Sequence, residues 1–265
     1  MKKLILFATV SQFAIIACGG ADAADMPLKA VPMVAAAAYS WTGCYAGAHL
    51  GWGWAHHEVT ASNFSFGPGG TAIATTNTLE SNSGIYGGQL GCNYQFSGNW
   101  VVGLQGDIAG ANFTGNVADP WDRIVPGPVP GVLGRNTDWF ASVTARLGVT
   151  AWNNKSLFYV KGGAAFDRSR WDFSRSSYCA FYTGCLVTSP EDRRTGWTVG
   201  AGVEWVISPT WTNWTAFAEY NYYDFGKGGN FPVDVRNIDP RNALSLGSQQ
   251  IQAVKVGVNY KLFTP

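Results

Sequence analysis

The chain has 265 residues, with 13% charged and 14% aromatic side chains, 33 glycines, 12 tryptophans and a formal net charge of +1. Ordinary soluble domains carry about 25% charged residues. A disordered chain would be charged and poor in aromatics, and a nucleic-acid binder would carry a basic excess, so both classes are excluded.

The N-terminus reads MKKLILFATVSQFAIIACGGADA. Two lysines precede an apolar run from Leu4 to Ala17, and Ala21-Asp22-Ala23 supplies a small-residue cleavage site. This predicts a secretory signal peptide over 1–23, cut after Ala23. The run is too short for a membrane helix, which needs about 20 apolar residues. A rival reading takes Ile15-Ile16-Ala17-Cys18 as a lipoprotein box with Cys18 lipidated. Residues 24–40 contain Pro27, Pro32 and an alanine run, and are expected to form a periplasmic lead-in to a domain over 41–265.

From Trp41 onward, segments alternate between apolar and small or polar residues, as the two faces of a strand do. In Trp41–Trp54 (WTGCYAGAHLGWGW) one parity holds Cys44, Ala46, Ala48, Leu50, Trp52 and Trp54; Tyr45, His49 and glycines take the other. Seven more segments follow: Ile85–Phe96, Trp100–Gly110, Asp138–Thr150, Phe158–Phe166, Gly196–Trp205, Trp214–Tyr223 and Ile251–Leu262. Their lengths suit tilted strands crossing a bilayer, for which about 9–11 residues suffice. Short links (97–99, 153–156, 207–213) alternate with long polar ones (56–84, 111–137, 167–195, 226–250). Short periplasmic turns and long outer loops mark an outer-membrane barrel. Aromatics gather at both segment ends: Trp41, Phe96, Trp100, Trp205 and Trp214 at the short links, Trp52, Trp54, Trp139, Phe166 and Trp197 at the long ones. Two such girdles belong at the two membrane–water interfaces.

The expected fold is therefore all-β: an eight-stranded antiparallel up-and-down transmembrane β-barrel with its apolar face outward. Closure is the way a sheet pairs every backbone polar group in hydrocarbon. A soluble lipocalin-like barrel is the rival, but its polar face would be richly charged.

Asp107, Arg146, Lys161, Glu204, Glu219 and Lys255 have the inward parity. Three acids facing three bases in an interior just wide enough for side chains predict a compensated ion network that plugs the tube. The alternative is a narrow porin-like channel for ions or small solutes, in which these pairs switch partners. An enzymatic rim would draw on His49, His56, His57 and Glu58 and on the loop acids Asp119, Asp122, Glu191 and Asp192. No catalytic or metal motif joins them. The adjacent His56-His57 reads as an exposed loop pair, and no enzyme, cofactor or metal is expected.

Of the cysteines, Cys179 and Cys185 would close a small disulfide ring in the third long loop. Cys44 and Cys92 lie outward on adjacent segments, and either a bond or two lipid-facing thiols fits. Pro120, Pro126, Pro128 and Pro130 stiffen the second long loop; Trp121, Trp171, Phe181 and Tyr182 place aromatics on exposed loops, where packing against the rim is expected and binding of a partner or surface glycan is the alternative.

The stretch ADMPLKA after the leader, then YSWTGCYAGAHLGWGW, FSGNWVVGLQGDIAGA, TDWFASVTARLGVT, FYVKGGAAF, TGWTVGAGVEW and VKVGVNYKL, resembles the small outer-membrane immunogenic or porin-family proteins of alphaproteobacteria. That resemblance covers nearly the whole mature chain. It implies a barrel of the OmpA-like transmembrane type, with roles in envelope integrity and surface contact and no catalytic residues. The implied partners are outer-membrane lipids and lipopolysaccharide, the barrel-assembly machinery, and host or surface ligands met through the loops; no nucleic acid is implied. Two departures stand out: Cys44 occupies a position usually aromatic, and Phe263 is followed by Thr264-Pro265 where such chains usually end on an aromatic.

Overall fold

A computed structural model describes residues 39–64, 73–118, 132–174, 191–208, 210–232 and 243–263. The leader and most of the lead-in lie outside these residues. So do Asp119, Asp122, Cys179, Cys185, Trp121, Phe181, Tyr182 and the loop prolines named above.

Nine strands are present among the described residues: β1 (Gly43–Phe64), β2 (Ile73–Phe96), β3 (Trp100–Ala118), β4 (Val132–Ala151), β5 (Ser156–Ser174), β6 (Glu191–Val206), β7 (Trp214–Lys227), β8 (Asn230–Pro232) and β9 (Ala243–Phe263). Each long strand pairs antiparallel with its neighbour, and β9 pairs with both β7 and β1, which closes an eight-stranded barrel. The short β8 lies along the upper part of β9.

Polarity is inverted relative to a soluble protein. Trp52, Val143, Val199 and Val256 are 48%, 57%, 47% and 52% exposed, whereas Arg146 and Glu219 are only 3% and 4% exposed. The outward apolar belt covers 44–54, 86–96, 100–108, 139–149, 158–166, 197–205, 214–222 and 254–262, and these are the membrane-spanning segments.

The strands run well beyond this belt. The ladder joining β1 to β2 continues to Phe64 and Ile73, and that joining β4 to β5 to Val132 and Ser174. Much of what the sequence suggests as long polar loops is therefore strand. The reason is physical: above the membrane the outward side chains face water and turn polar, so the polarity contrast fades while backbone pairing goes on. Inward positions stay filled there, with Val59, Leu79, Trp171 and Leu246 buried. The barrel wall also divides at this height. The last paired rungs are Ile85–Ala111 between β2 and β3 and Trp197–Asp224 between β6 and β7. Above them β8, β9, β1, β2 and the end of β7 form one ribbon and β3 to β6 another.

Glycines serve as floors for inward aromatic rings. Tyr45 faces Gly91, Tyr159 faces Gly202 and Phe217 faces Gly257 across their rungs. A Cβ on those glycines would come within 2.5, 2.7 and 2.7 Å of the rings or their hydroxyls. Aromatic coverage of a glycine is a known device for pinning strand register. At the β2–β3 turn, Gly98 takes a left-handed φ of 76°, which costs glycine little.

Candidate functional site: the lumen and its outer mouth

Four layers of side chains fill the lumen. At the periplasmic end Trp41 packs with Val101, Leu157 and Tyr159, and Tyr39 lies edge-on against it. Trp41 donates from Nε1 to the Asn154 carbonyl at 2.9 Å, and its backbone N–H donates to Gln95 Oε1 at 2.8 Å. Trp41 is thus an inward plug residue and not a member of the girdle. Its parity is that of Tyr45, which the girdle reading overlooks.

The second layer is a closed ring of hydrogen bonds. Tyr45 donates to Gln105 Oε1 (2.9 Å), Gln105 to Gln89 Oε1 (2.9 Å), Gln89 to Asn259 Oδ1 (2.7 Å) and Asn259 to Glu204 Oε1 (2.8 Å). Arg146 completes the circuit, donating from Nη2 to Glu204 Oε2 at 2.9 Å and from Nη1 back to the Tyr45 hydroxyl at 2.7 Å. The ring links β1, β3, β2, β9, β6 and β4. Thr215 gives Glu204 a further bond of 2.6 Å, and the Arg146 guanidinium lies 3.9 Å from the Tyr159 ring centre.

Lys161 and Glu219 pair beside this ring at 2.8 Å, and Tyr159 and Asn221 also donate to Glu219. Higher in the lumen Lys255 reaches Asp107 Oδ1 at 2.6 Å and the Tyr223 hydroxyl at 3.0 Å. His49 Nε2 lies 2.8 Å from Asp107 Oδ2, close enough for an ion pair but not aligned as a hydrogen bond. The structure thus brings the six inward ionisable residues into three acid–base pairs. Sequence reasoning misses His49, Tyr45, Gln89, Gln105, Asn259 and Tyr223 as members of the network, although most share its inward parity.

The third layer is apolar: Ile85, Phe113, Phe140, Tyr223, Phe225 and Ile251 pack with inward alanines. Phe140 meets Tyr223 edge-on at 5.1 Å, and Tyr223 stacks on Phe225.

The fourth layer sits in the outer mouth, above the membrane. Arg135 Nη2 donates to Gln249 Oε1 (2.5 Å) and Ser169 Oγ (2.6 Å) and approaches Asp167 at 3.3 Å. Its Nη1 lies 2.5 Å from His57 Nδ1, and its guanidinium lies 4.9 Å from the Trp171 ring centre. His57 and Gln249 belong to one ribbon, and Arg135, Asp167 and Ser169 to the other, so this cluster ties the two together. Burial and the nearby guanidinium hold the His57 imidazole well below its usual range. Burial pushes Arg135 down to about 9, which still leaves it charged at neutral pH.

Three sequence expectations are corrected here. His57 is buried on β1 and only His56 is partly exposed, so the two are not an exposed loop pair. Trp171 lies on β5 and not on a loop, and it packs over Arg135 at the mouth, as expected for a rim aromatic. Asp192 lies on β6 and is buried against Arg194, with Arg194 Nε 2.6 Å from its Oδ2, so it is not a loop acid. Glu191 opens β6 as an exposed residue, and Glu58 accepts from Ser248 at 3.0 Å on the outer surface.

Cys44 and Cys92 face each other across the β1–β2 rung and are joined by a disulfide, with Sγ atoms 2.09 Å apart. Among the described residues no cluster of three or more metal-ligating side chains occurs.

Residues 27–261 match the family described as outer membrane protein beta-barrel domain. The chain is similar to the 31 kDa outer-membrane immunogenic protein of Brucella melitensis, with 29% identity over 98% of this chain and all of that one. It is also similar to the 25 kDa outer-membrane immunogenic protein of Brucella abortus, with 24% identity over 98% of each. Among solved structures it is similar to the outer membrane protein OprG from Pseudomonas aeruginosa, with 13% identity, a TM-score of 0.40, and coverage of 84% of this chain and 97% of that one. The family match spans nearly the whole closed barrel with its lipid-facing belt, and the chain therefore belongs to the outer-membrane β-barrel domain family and is a protein of the outer membrane.

Proposed function

We propose that this outer-membrane barrel is a closed, non-enzymatic structural element of the envelope, with its lumen plugged and its loops providing surface contact. The observation carrying this reading is the order of layers: a paired ion network lies between the Trp41 cluster below and the Phe113–Phe140–Tyr223 layer above. An ion entering would have to displace packed aromatic rings and then break charge pairs whose separation in a poorly solvated interior is costly. The histidines considered for catalysis lie against other groups: His49 against Asp107, His56 beside Glu80 and His57 against Arg135. Export by cleavage after Ala23, the 24–40 lead-in, and delivery to the barrel-assembly machinery belong to the same proposal.

Planar-bilayer recording tests the closed lumen. Reconstituted protein is expected to give no steady conductance. Steady, ion-selective steps that change with Glu219→Gln would overturn the plug and favour a narrow channel. Hydrolysis of lipid or peptide substrates that is lost in His57→Ala would overturn the non-enzymatic reading.

A further inference from the structure

Just above the outer girdle, on the outward face of β5 and β6, three arginines share neighbouring rungs. Arg168 stands directly opposite Arg193, and Arg170 directly opposite Glu191. Like charges placed directly opposite each other destabilise a sheet unless a counter-charge intervenes. Among the described residues, Glu191 is the carboxylate that meets them. It lies 2.6 Å from Arg168, 3.7 Å from Arg193 and 3.9 Å from Arg170, so only the first contact is a hydrogen bond. Among the side chains described, three cations thus share one anion, and each guanidinium carries five N–H donors.

Height and direction identify what lies opposite. Phe166, two residues before Arg168 on the same outward face, is an exposed ring of the girdle, as is Trp197 on β6. A strand rises about 3.3 Å per residue, so Arg168 lies only ~7 Å further along the strand than Phe166. That is headgroup depth, and the side chains point sideways into the leaflet. The outward charges at comparable height on β1 and β2 are different: His56 faces Glu80 at 3.5 Å. Among the described residues this group of three arginines lies on β5 and β6.

We propose that Arg168, Arg170 and Arg193 bind the phosphate groups of the outer leaflet's phosphorylated glycolipid. Guanidinium forks match phosphate oxygens in bidentate geometry. The adjoining apolar belt receives the same lipid's acyl chains, which holds its phosphates at a high effective concentration beside the arginines. This site does not depend on whether the lumen is closed.

The test uses the full mature chain in zwitterionic detergent, with bisphosphorylated lipid A as the probe. Wild-type protein should bind the lipid and lose its folded gel mobility at a higher temperature in its presence. Arg168→Gln/Arg170→Gln/Arg193→Gln should keep its heat-modifiable mobility and bind the lipid about tenfold more weakly or worse, the loss expected for charge-assisted hydrogen bonds. Dephosphorylated lipid A should bind both proteins equally weakly, and excess inorganic phosphate should compete poorly. Undiminished binding by the triple variant, or equal binding of the dephosphorylated lipid, would overturn the proposal. Complete displacement by inorganic phosphate would overturn the lipid as the source. Should the triple variant fail to fold, Arg193→Gln, the most exposed of the three, reads the same affinity with a smaller expected loss, and unchanged binding again overturns the site.

Discussion

Lys255 on β9 and Asp107 on β3 meet inside the barrel at 2.6 Å, although 148 residues separate them in the chain. Both are essentially inaccessible to solvent. Removing one partner of such a pair leaves an uncompensated buried charge and costs about 3–5 kcal/mol, whereas replacing both with apolar groups can be nearly neutral. Lys255→Met should therefore destabilise the barrel by about that amount in urea titration in detergent. Lys255→Met combined with Asp107→Leu should recover much of the loss. A double variant as unstable as the single one would show that these residues do not act as a pair.

The glycine floors predict a sharp contrast. Gly202→Val would drive a side chain into the Tyr159 ring and hydroxyl, which a Cβ alone would approach to 2.7 Å. Overpacking of this kind costs about 1–3 kcal/mol. Gly106 faces outward, and a Cβ added there would meet nothing within 4 Å, so Gly106→Ala should stay within about 0.5 kcal/mol of wild type. Equal effects at the two sites would remove the case for ring-on-glycine packing.

The Cys44–Cys92 disulfide closes a loop with a sequence separation of 48. Cys44→Ser/Cys92→Ser should unfold at lower urea, with a loss of about 2–4 kcal/mol. Alkylation of the denatured, unreduced protein followed by mass analysis should leave both cysteines unlabelled, and labelling of both would rule the bond out.

The outer mouth should weaken in acid. The folded His57 lies below its unfolded value of about 6.5. The unfolded or opened chain therefore binds the extra proton first. Stability is fully present above that value and is lost as pH falls through it toward the depressed folded value. A protonated His57 would also repel Arg135, which ties the two ribbons together. The protection factors of upper β1 and β4 amides, corrected for the intrinsic exchange rate at each pH, should fall between neutral pH and a pH of about 5, and His57→Asn should flatten that dependence. An unchanged profile in the variant would assign the effect elsewhere.

Within the membrane, the fold is legible residue by residue. Trp52, Val143 and Val256 share a parity with their apolar neighbours, and Arg146, Glu204 and Lys255 have the opposite one, because lipid outside and a narrow polar interior impose contrasting demands on alternate side chains. The contrast disappears above the belt, where water wets the outer face, so His57, Trp171 and Asp192 read as loop residues although they lie buried on strands. Parity also cannot say which inward groups meet. Tyr45, Gln105, Gln89, Asn259, Glu204 and Arg146 become one ring only because closure of β9 on β1 sets the stagger of all the strands at once. Alternation along the chain was enough to specify the barrel, its inverted polarity and the inward set of charges. The pairing of those charges, the Trp41 plug and the tie across the mouth emerged only on closure, since they depend on distances across a lumen that no local pattern encodes.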